Sequence, residues 1–268
     1  MTERLDPEKV PEYFRDPGTV EGWWDPDTGP LSFHYDAEVC VLDDHLDVEA
    51  SWKVLDVGTG RGRFGIHMAK QGCEVTAVDI NPDMIEVAEE AARRGGVEDR
   101  FKVREGDAEH LENLAEGPFD LVMCMELFDH LPQLERALSS MHSVLKPGGQ
   151  FVFTYVPGES LYGRAGNLYR LFRRRFRPAE MMISRTYSFK EVEASLRSGG
   201  FEWDRYFGVG VLCLNAQTRL FRDGWLSRAT LGLARMEARR WPYHESPWLG
   251  RRGAHVVGVA RPVTRPTE

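Results

Sequence analysis

Residues Lys53 to Gly65, reading KVLDVGTGRGRFG, constrain the fold of this chain more than any other stretch. An apolar run suited to a buried strand carries Asp56 near its end and breaks into glycines at 58, 60, 62 and 65, where a helix should begin. Glycine at such positions lets the backbone turn sharply and come close to a ligand, while the helix start offers N–H groups to a phosphate or carboxylate. The stretch therefore reads as strand, nucleotide-type turn and helix, the opening unit of a doubly wound α/β sheet. The plain alternative is a glycine-rich turn that holds no ligand.

Which nucleotide it suits depends on register. Gly60, Gly62 and Gly65 satisfy the G-x-G-x-x-G pattern of NAD-binding folds. With Gly60 as first glycine, Asp56 would lie inside a strand buried on both faces, where an unpaired carboxylate is costly. With Gly58 first, Asp56 stands at the strand end and faces the ligand. That second reading gives D-x-G-x-G-x-G, which resembles the first motif of class I S-adenosylmethionine-dependent methyltransferases. The resemblance implies S-adenosylmethionine as cofactor, leaving S-adenosylhomocysteine, with Asp56, Gly58, Thr59, Gly60 and Gly62 around it.

Further signals follow in the order such a family requires. The run CEVTAVDI ends in Asp79 and Ile80, about twenty residues past the glycines, where an acidic side chain can accept from both ribose hydroxyls. The run FKVREGDA ends in Asp107 and Ala108, which the resemblance places at the adenine. FDLVMCME is a continuous apolar run suited to a central parallel strand, with Met125 at its cofactor end, and LKPGGQFVFTYV supplies a turn and a fifth strand. NPDMIEVAEEAARRGG reads as a helix with Asn81 as cap, Pro82 first and Gly95 as stop; SFKE at 188–191 forms a capping box, and that helix ends at Gly199 and Gly200. Two later strands, RYFGVGVLCL and AHVVGVAR, would in this family be the pair that completes seven.

The expected architecture is a Rossmann-like, doubly wound, seven-stranded, mostly parallel sheet with an antiparallel last strand. A helical cap segment over residues 1–50 precedes the methyltransferase domain at 51–268, which carries two substrate-side insertions at about 158–180 and about 215–252. At 268 residues and 42% hydrophobic, the chain can bury this as one core. A net charge of −8 argues against a nucleic-acid partner, since affinity for polyanions comes largely from Lys and Arg. Cys40, Cys73, Cys124 and Cys213 lack paired spacing and read as thiols, three of them buried. With no signal-like or membrane-spanning apolar run, the expectation is a cytoplasmic protein, peripheral membrane contact aside.

Chemistry is expected after the fourth strand, at Met125, Glu126, Leu127, Phe128, Asp129, His130 and beyond. Ligands of open α/β sheets bind past strand ends at the topological switch, so His130 is the leading candidate for a general base. Methyl transfer from a sulfonium leaves deprotonation of the acceptor as the main task, and imidazole suits a phenol. Were Glu126, Asp129 and His130 on one helical turn, they could together hold a divalent metal. In the structural alternative, the two acids cap the following helix and His130 packs on the sheet.

CMELFDHLP is also similar to the motif after the fourth strand of the ubiquinone-biosynthesis O-methyltransferases, and Trp23-Trp24-Asp25 to their N-terminal motif. That likeness covers about residues 20 to 156 and implies O-methylation of an aromatic or lipid-linked small molecule, with an acidic-acidic-His set linked to divalent metal. This chain departs from it in LSFHYDAEV, which keeps His34 but lacks the family's arginine. The rivals are a C- or N-methyltransferase of secondary metabolism, an NAD-dependent oxidoreductase, and a protein that binds S-adenosylmethionine without methylating anything.

Residues 161–177, LYGRAGNLYRLFRRRFR, interleave aromatics with arginines. At helical spacing Leu161, Ala165, Leu168, Tyr169, Phe172 and Phe176 share a face opposite Arg170, Arg173, Arg174 and Arg177. Three roles compete: a lid packed by its apolar face, an anion-binding patch, and peripheral contact with an anionic membrane. Trp225, Trp241 and Trp248 are candidates to line an apolar acceptor pocket.

Overall fold

The computed structural model of the chain describes residues 5–16, 32–114, 117–176, 183–213 and 225–263, with side chains at 173–176 and 225–228 left aside. Trp23, Trp24, Asp25 and Arg177 lie outside these residues.

Seven strands form one sheet: β1 (Lys53–Val57), β2 (Glu74–Asp79), β3 (Phe101–Glu105), β4 (Phe119–Cys124), β5 (Leu145–Tyr155), β6 (Phe201–Val209) and β7 (His255–Pro262). Their order is β3-β2-β1-β4-β5-β7-β6. The first five pair in parallel, and β7 runs antiparallel to both β5 and β6. This is the expected sheet. The chain winds outward from β1 to β3 and then returns to β4, so the ends of β1 and β4 flank the crevice where such sheets bind ligands.

Eight helices are described: α1 (Lys9–Arg15), α2 (Ser32–His45), α3 (Arg63–Lys70), α4 (Pro82–Gly95), α5 (Leu134–Ser143), α6 (Leu161–Phe176), α7 (Phe189–Ser198) and α8 (Trp225–Arg240). Strand alternation sends Leu55, Val57, Val122 and Cys124 to one face, where α5 and α7 cover them with Leu138, Met141, Val192 and Leu196. Val54, Leu121 and Met123 point the other way, onto Val41 and Leu42 of α2, Met68 of α3 and Ala88 of α4. Because α2 lies in this second layer, part of segment 1–50 belongs to the core of the sheet.

Local signals held closely. Asn81 caps α4 by accepting from Asp83 N and Met84 N, and that helix ends at Gly96 in the left-handed region, one residue past the expected stop. Ser188 and Glu191 form both bonds of the capping box of α7. Boundaries moved elsewhere. β5 starts at Leu145 and includes the Pro-Gly-Gly stretch, with a register shift against β4 between Phe119 and Leu121. β6 starts directly after Gly200, not at Arg205, because Phe201 and Trp203 already pair with Pro262 and Ala260 of β7. Cys73, Cys124 and Cys213 are buried free thiols.

Helix α6 packs by an edge other than the one its periodicity suggests. Gly163 and Gly166 are buried, and a Cβ at Gly163 would stand 2.1 Å from the Pro157 carbonyl oxygen, so glycine there permits the helix to close on the turn after β5. Leu168, Leu171 and Phe172 are instead 68%, 70% and 60% exposed. Of the apolar stripe, Leu168 and Phe172 are thus largely open to solvent.

Candidate functional site

A cavity of about 890 Å³, its open mouth included, lies at the carboxyl ends of β1, β2, β3 and β4. Gly58 and Gly60 form its floor, with φ of 69° and 52°, a region that glycine enters at little cost. Asp79 stands beside them at the end of β2: its Oδ2 accepts from Gly60 N at 2.8 Å and its Oδ1 from Asn81 N at 2.9 Å. Burial raises the Asp79 carboxyl above its ordinary range, against the N–H groups of Asn81 and Gly60, which favour the anion. Ile80, Met84, Ala108 and Leu131 add apolar wall.

Of the residues expected at the cofactor, Gly58, Gly60, Asp79, Ile80, Asp107 and Ala108 line this cavity, while Asp56, Thr59, Gly62 and Met125 do not. The reading of Asp56 needs correction. It lies inside β1, 2% exposed, and faces its own loop: Oδ2 accepts from Thr59 Oγ1 at 2.6 Å and from Gly65 N at 3.1 Å. Burial pushes its pKa up to about 6 against those two donors. A Cβ at residue 65 would stand 2.8 Å from that same oxygen, so the fourth glycine admits the carboxylate. Asp56 braces the turn, because a buried acid is tolerable where local donors meet it.

The mouth holds contacts not read from the sequence. Val10, Pro11 and Phe14 of α1 line it, and the Phe14 carbonyl accepts from Asn81 Nδ2 at 2.6 Å. Asn81 thus caps α4 with its oxygen and ties down α1 with its nitrogen. Only the cap was legible, since a polar side chain at a helix start says nothing of a segment 67 residues away.

Beyond β4, Glu126 has φ of 58°, rare for a residue with a Cβ and most common at functional positions. Its N–H donates to Thr154 Oγ1 at 2.6 Å, and that hydroxyl donates to Glu126 Oε1 at 3.1 Å. Residues Phe128–His130 form one 3₁₀ turn. The His130 ring lies edge-on to Phe14, and Nδ1 sits 2.8 Å from the Ile183 carbonyl oxygen. A carbonyl can only accept, so the ring proton sits on Nδ1 and the lone pair on Nε2. Burial lowers the pKa of His130 and keeps the ring neutral.

Glu126, Asp129 and His130 do not form the expected metal cluster. The Asp129 Oδ2 accepts from Val156 N at 2.9 Å, Oδ1 is buried with no partner, and burial pushes the carboxyl up to about 8. Among the described residues, the set whose ligand atoms lie within 4.8 Å of one another is Glu38, Glu126 and His255. The capping alternative also fails, because α5 begins after Gln133 with no side-chain cap. Glu126 precedes the turn in a left-handed conformation, and this directs it toward β5 and β7 instead of along a helix face.

A sheet of this order, with a glycine turn after β1 and an acid closing β2 over one cavity, defines the class I S-adenosylmethionine-dependent methyltransferases. The chain belongs to that family: the model of the methyltransferase domain matches residues 49–198, more than half of its length. It is similar to the ubiquinone biosynthesis O-methyltransferase of Xanthomonas euvesicatoria pv. vesicatoria, 35% identical over 130 residues, which are 48% of this chain and 53% of that one. The protein of the same name from Azotobacter vinelandii is 32% identical over 173 residues, 59% of this chain and 73% of that one. The chain thus spans about half the length of several curated relatives it matches. Among solved structures, a possible histamine N-methyltransferase from Thermotoga maritima aligns with a TM-score of 0.62 at 22% identity, over 93% of this chain and 97% of that one. That likeness speaks to fold alone.

Proposed function

We propose that this chain transfers a methyl group to a hydroxyl oxygen of an aromatic or lipid-linked small molecule. The observation that carries the reading is His130: a neutral ring at the cavity wall whose Nδ1–H is committed to the Ile183 carbonyl, leaving Nε2 as the basic atom. When bound, S-adenosylmethionine supplies an electrophilic methyl on a positive sulfur. The open cradle above Gly60, where a Cβ would meet nothing within 4 Å, fits such a ligand, as does the carboxylate wall at Asp79. In this reading Asp79 accepts from ribose hydroxyls, and Gly106, Asp107 and Ala108 border the adenine. His130 Nε2 takes the acceptor's hydroxyl proton, and α1 limits water at the mouth. Likeness to the ubiquinone O-methyltransferases supports an oxygen acceptor.

A second observation favours a membrane-borne acceptor. Helix α6 follows β5, the strand beside β4, and exposes Leu168, Leu171 and Phe172 from an arginine-rich sequence. A surface of that kind suits shallow contact with anionic lipid.

The test is incubation with methyl-labelled S-adenosylmethionine and a panel of catechols, quinols, lipid extracts, amines and glycosides, with product masses read directly. Label on the oxygen of a hydroxyaromatic or lipid-linked compound is expected. Label on nitrogen or carbon alone would overturn the oxygen reading, and tight binding of S-adenosylhomocysteine without label transfer to any class would favour the non-catalytic reading.

A further inference from the structure

Three elements distant in sequence bring ligand-type side chains to one point next to the cavity. Glu38 comes from α2, Glu126 from the turn after β4 and His255 from the first position of β7. His255 Nδ1 lies 2.8 Å from Glu38 Oε1 and 3.0 Å from Glu126 Oε1. Glu38 is 0% exposed, and its other oxygen, Oε2, has no hydrogen-bond partner. His34 stands one turn before Glu38 on the same face of α2, 2% exposed, with neither ring nitrogen partnered and its ring edge-on to His255 at 5.5 Å.

Two carboxyl groups held this close in a buried place need positive charge or a shared proton, and His255 is the cation at hand. It leaves one Glu38 oxygen and the His34 ring unanswered. Buried polar atoms in native proteins are otherwise almost always paired, so an unfilled Glu38 oxygen within a cluster of three ligand-type side chains points to something that binds there. From these contacts we propose that Glu38, Glu126 and His255, with His34 alongside, form a binding site for a first-row divalent cation. The donor set mixes imidazole nitrogen with carboxylate oxygen, which suits manganese, iron or zinc better than magnesium or calcium, whose sites are built of oxygen. Left-handed Glu126 is the member that also lines the cavity, so it links the site to the place where an acceptor must approach. This assignment rests in its purpose, though not in its geometry, on the oxygen-methylation reading: a cation there would polarise an acceptor hydroxyl and lower its pKa.

Metal binding can be measured without turnover. The purified chain, stripped with chelator, is dialysed at neutral pH against Mn²⁺ or Zn²⁺ and its metal content read by elemental analysis; Co²⁺ is followed separately through its visible absorption. A single equivalent bound by the wild type is expected, with bands of mixed nitrogen and oxygen ligation for Co²⁺. Glu38→Gln and His255→Gln should each weaken binding at least about tenfold, and their folding is checked by unchanged affinity for S-adenosylhomocysteine. No metal above background in the wild type overturns the site, as does a folded Glu38→Gln that binds metal as the wild type does. Stoichiometric metal together with label on nitrogen would sink the oxygen reading and leave the site standing, whereas oxygen transfer by a protein that takes up no added metal would do the reverse.

Discussion

The two halves of the sheet treat their buried polar groups differently. Around β1 to β3 the acids that shape the cavity are answered locally: Asp56 by Thr59 and Gly65, Asp79 by Gly60 and Asn81, Asp107 by Glu109 N. Around the ends of β4 and β5 and the start of β7, polar atoms of His34, Glu38, Asp129, Tyr155 and Glu159 are buried without partners, and Glu126 adopts a strained backbone. Native chains depart from internal satisfaction chiefly where function requires it. The first half is prepared for a ligand common to its family. The second leaves buried polar atoms to which the described residues supply no partner.

The sharpest way to break this contrast is His130→Ala, which removes a group from the second half that also lines the cavity of the first. With the acceptor found by the screen, turnover should fall about 100-fold or more, the range for lost acid–base help. Affinity for S-adenosylhomocysteine, read by calorimetry, should persist. In the wild type the acid limb of the rate profile should lie below the ordinary imidazole pKa of ~6.5, because burial disfavours the charged ring and the base acts only when neutral. Undiminished turnover in the variant would make His130 a packing residue against Phe14, and the halves would then share no catalytic group.

Asp79→Ala tests the first half alone. It removes the acceptor proposed for the ribose and also frees the N–H groups of Gly60 and Asn81. Cofactor affinity should drop by about 1.5 to 3 kcal/mol, the cost of losing hydrogen bonds to a charged acceptor. Calorimetry with S-adenosylhomocysteine decides this, and an unchanged dissociation constant in a folded variant would mean that the ribose lies elsewhere.

The same division governs what could be read from residue order. The glycine turn, Asp79, Asn81 as a cap, the Ser188–Glu191 box and the run of strands rest on contacts spanning few residues or on strand and helix periods, which a sequence displays directly. Asp56 lies next to the end of β1 as its place in the sequence suggests, but its carboxylate turns to its own loop, and its partners Thr59 and Gly65 do not announce themselves as donors. Glu38 and His255 could not be joined in advance: they are 217 residues apart and meet only because β7 enters antiparallel, which brings its first residue to the end where the parallel strands finish. The sequence marks out Glu126, but helical spacing points to partners three and four residues away, along a helix that the left-handed backbone at 126 excludes. In α6 the apolar period predicted a packed stripe, whereas the small side chains at 163 and 166 let the other edge approach most closely. Periodicity reports a face, and close packing chose the neighbouring one.

That displaced face gives the smallest effect and a direct test of whether the second half meets a bilayer. Leu168 and Leu171 are largely exposed, so replacing both with Ser should leave folding and cofactor affinity intact. On a membrane the same side chains would enter the headgroup boundary, and partial burial of two leucines is worth roughly 1 to 2 kcal/mol, or about tenfold in partitioning. The wild type should therefore co-sediment with anionic vesicles at low salt and be released as salt rises, since the arginine contribution is screened over a Debye length of about 10 Å at 0.1 M. Neutral vesicles should retain less. Replacing Arg173, Arg174 and Arg177 with Gln should remove the salt dependence, while the double Ser variant should lower binding at every salt concentration, because the apolar part is not screened. If neither change alters sedimentation, or the wild type ignores anionic vesicles, the exposed leucines of α6 serve a soluble acceptor's entrance, and the Ser variant should instead raise the Michaelis constant for the compound identified by the screen.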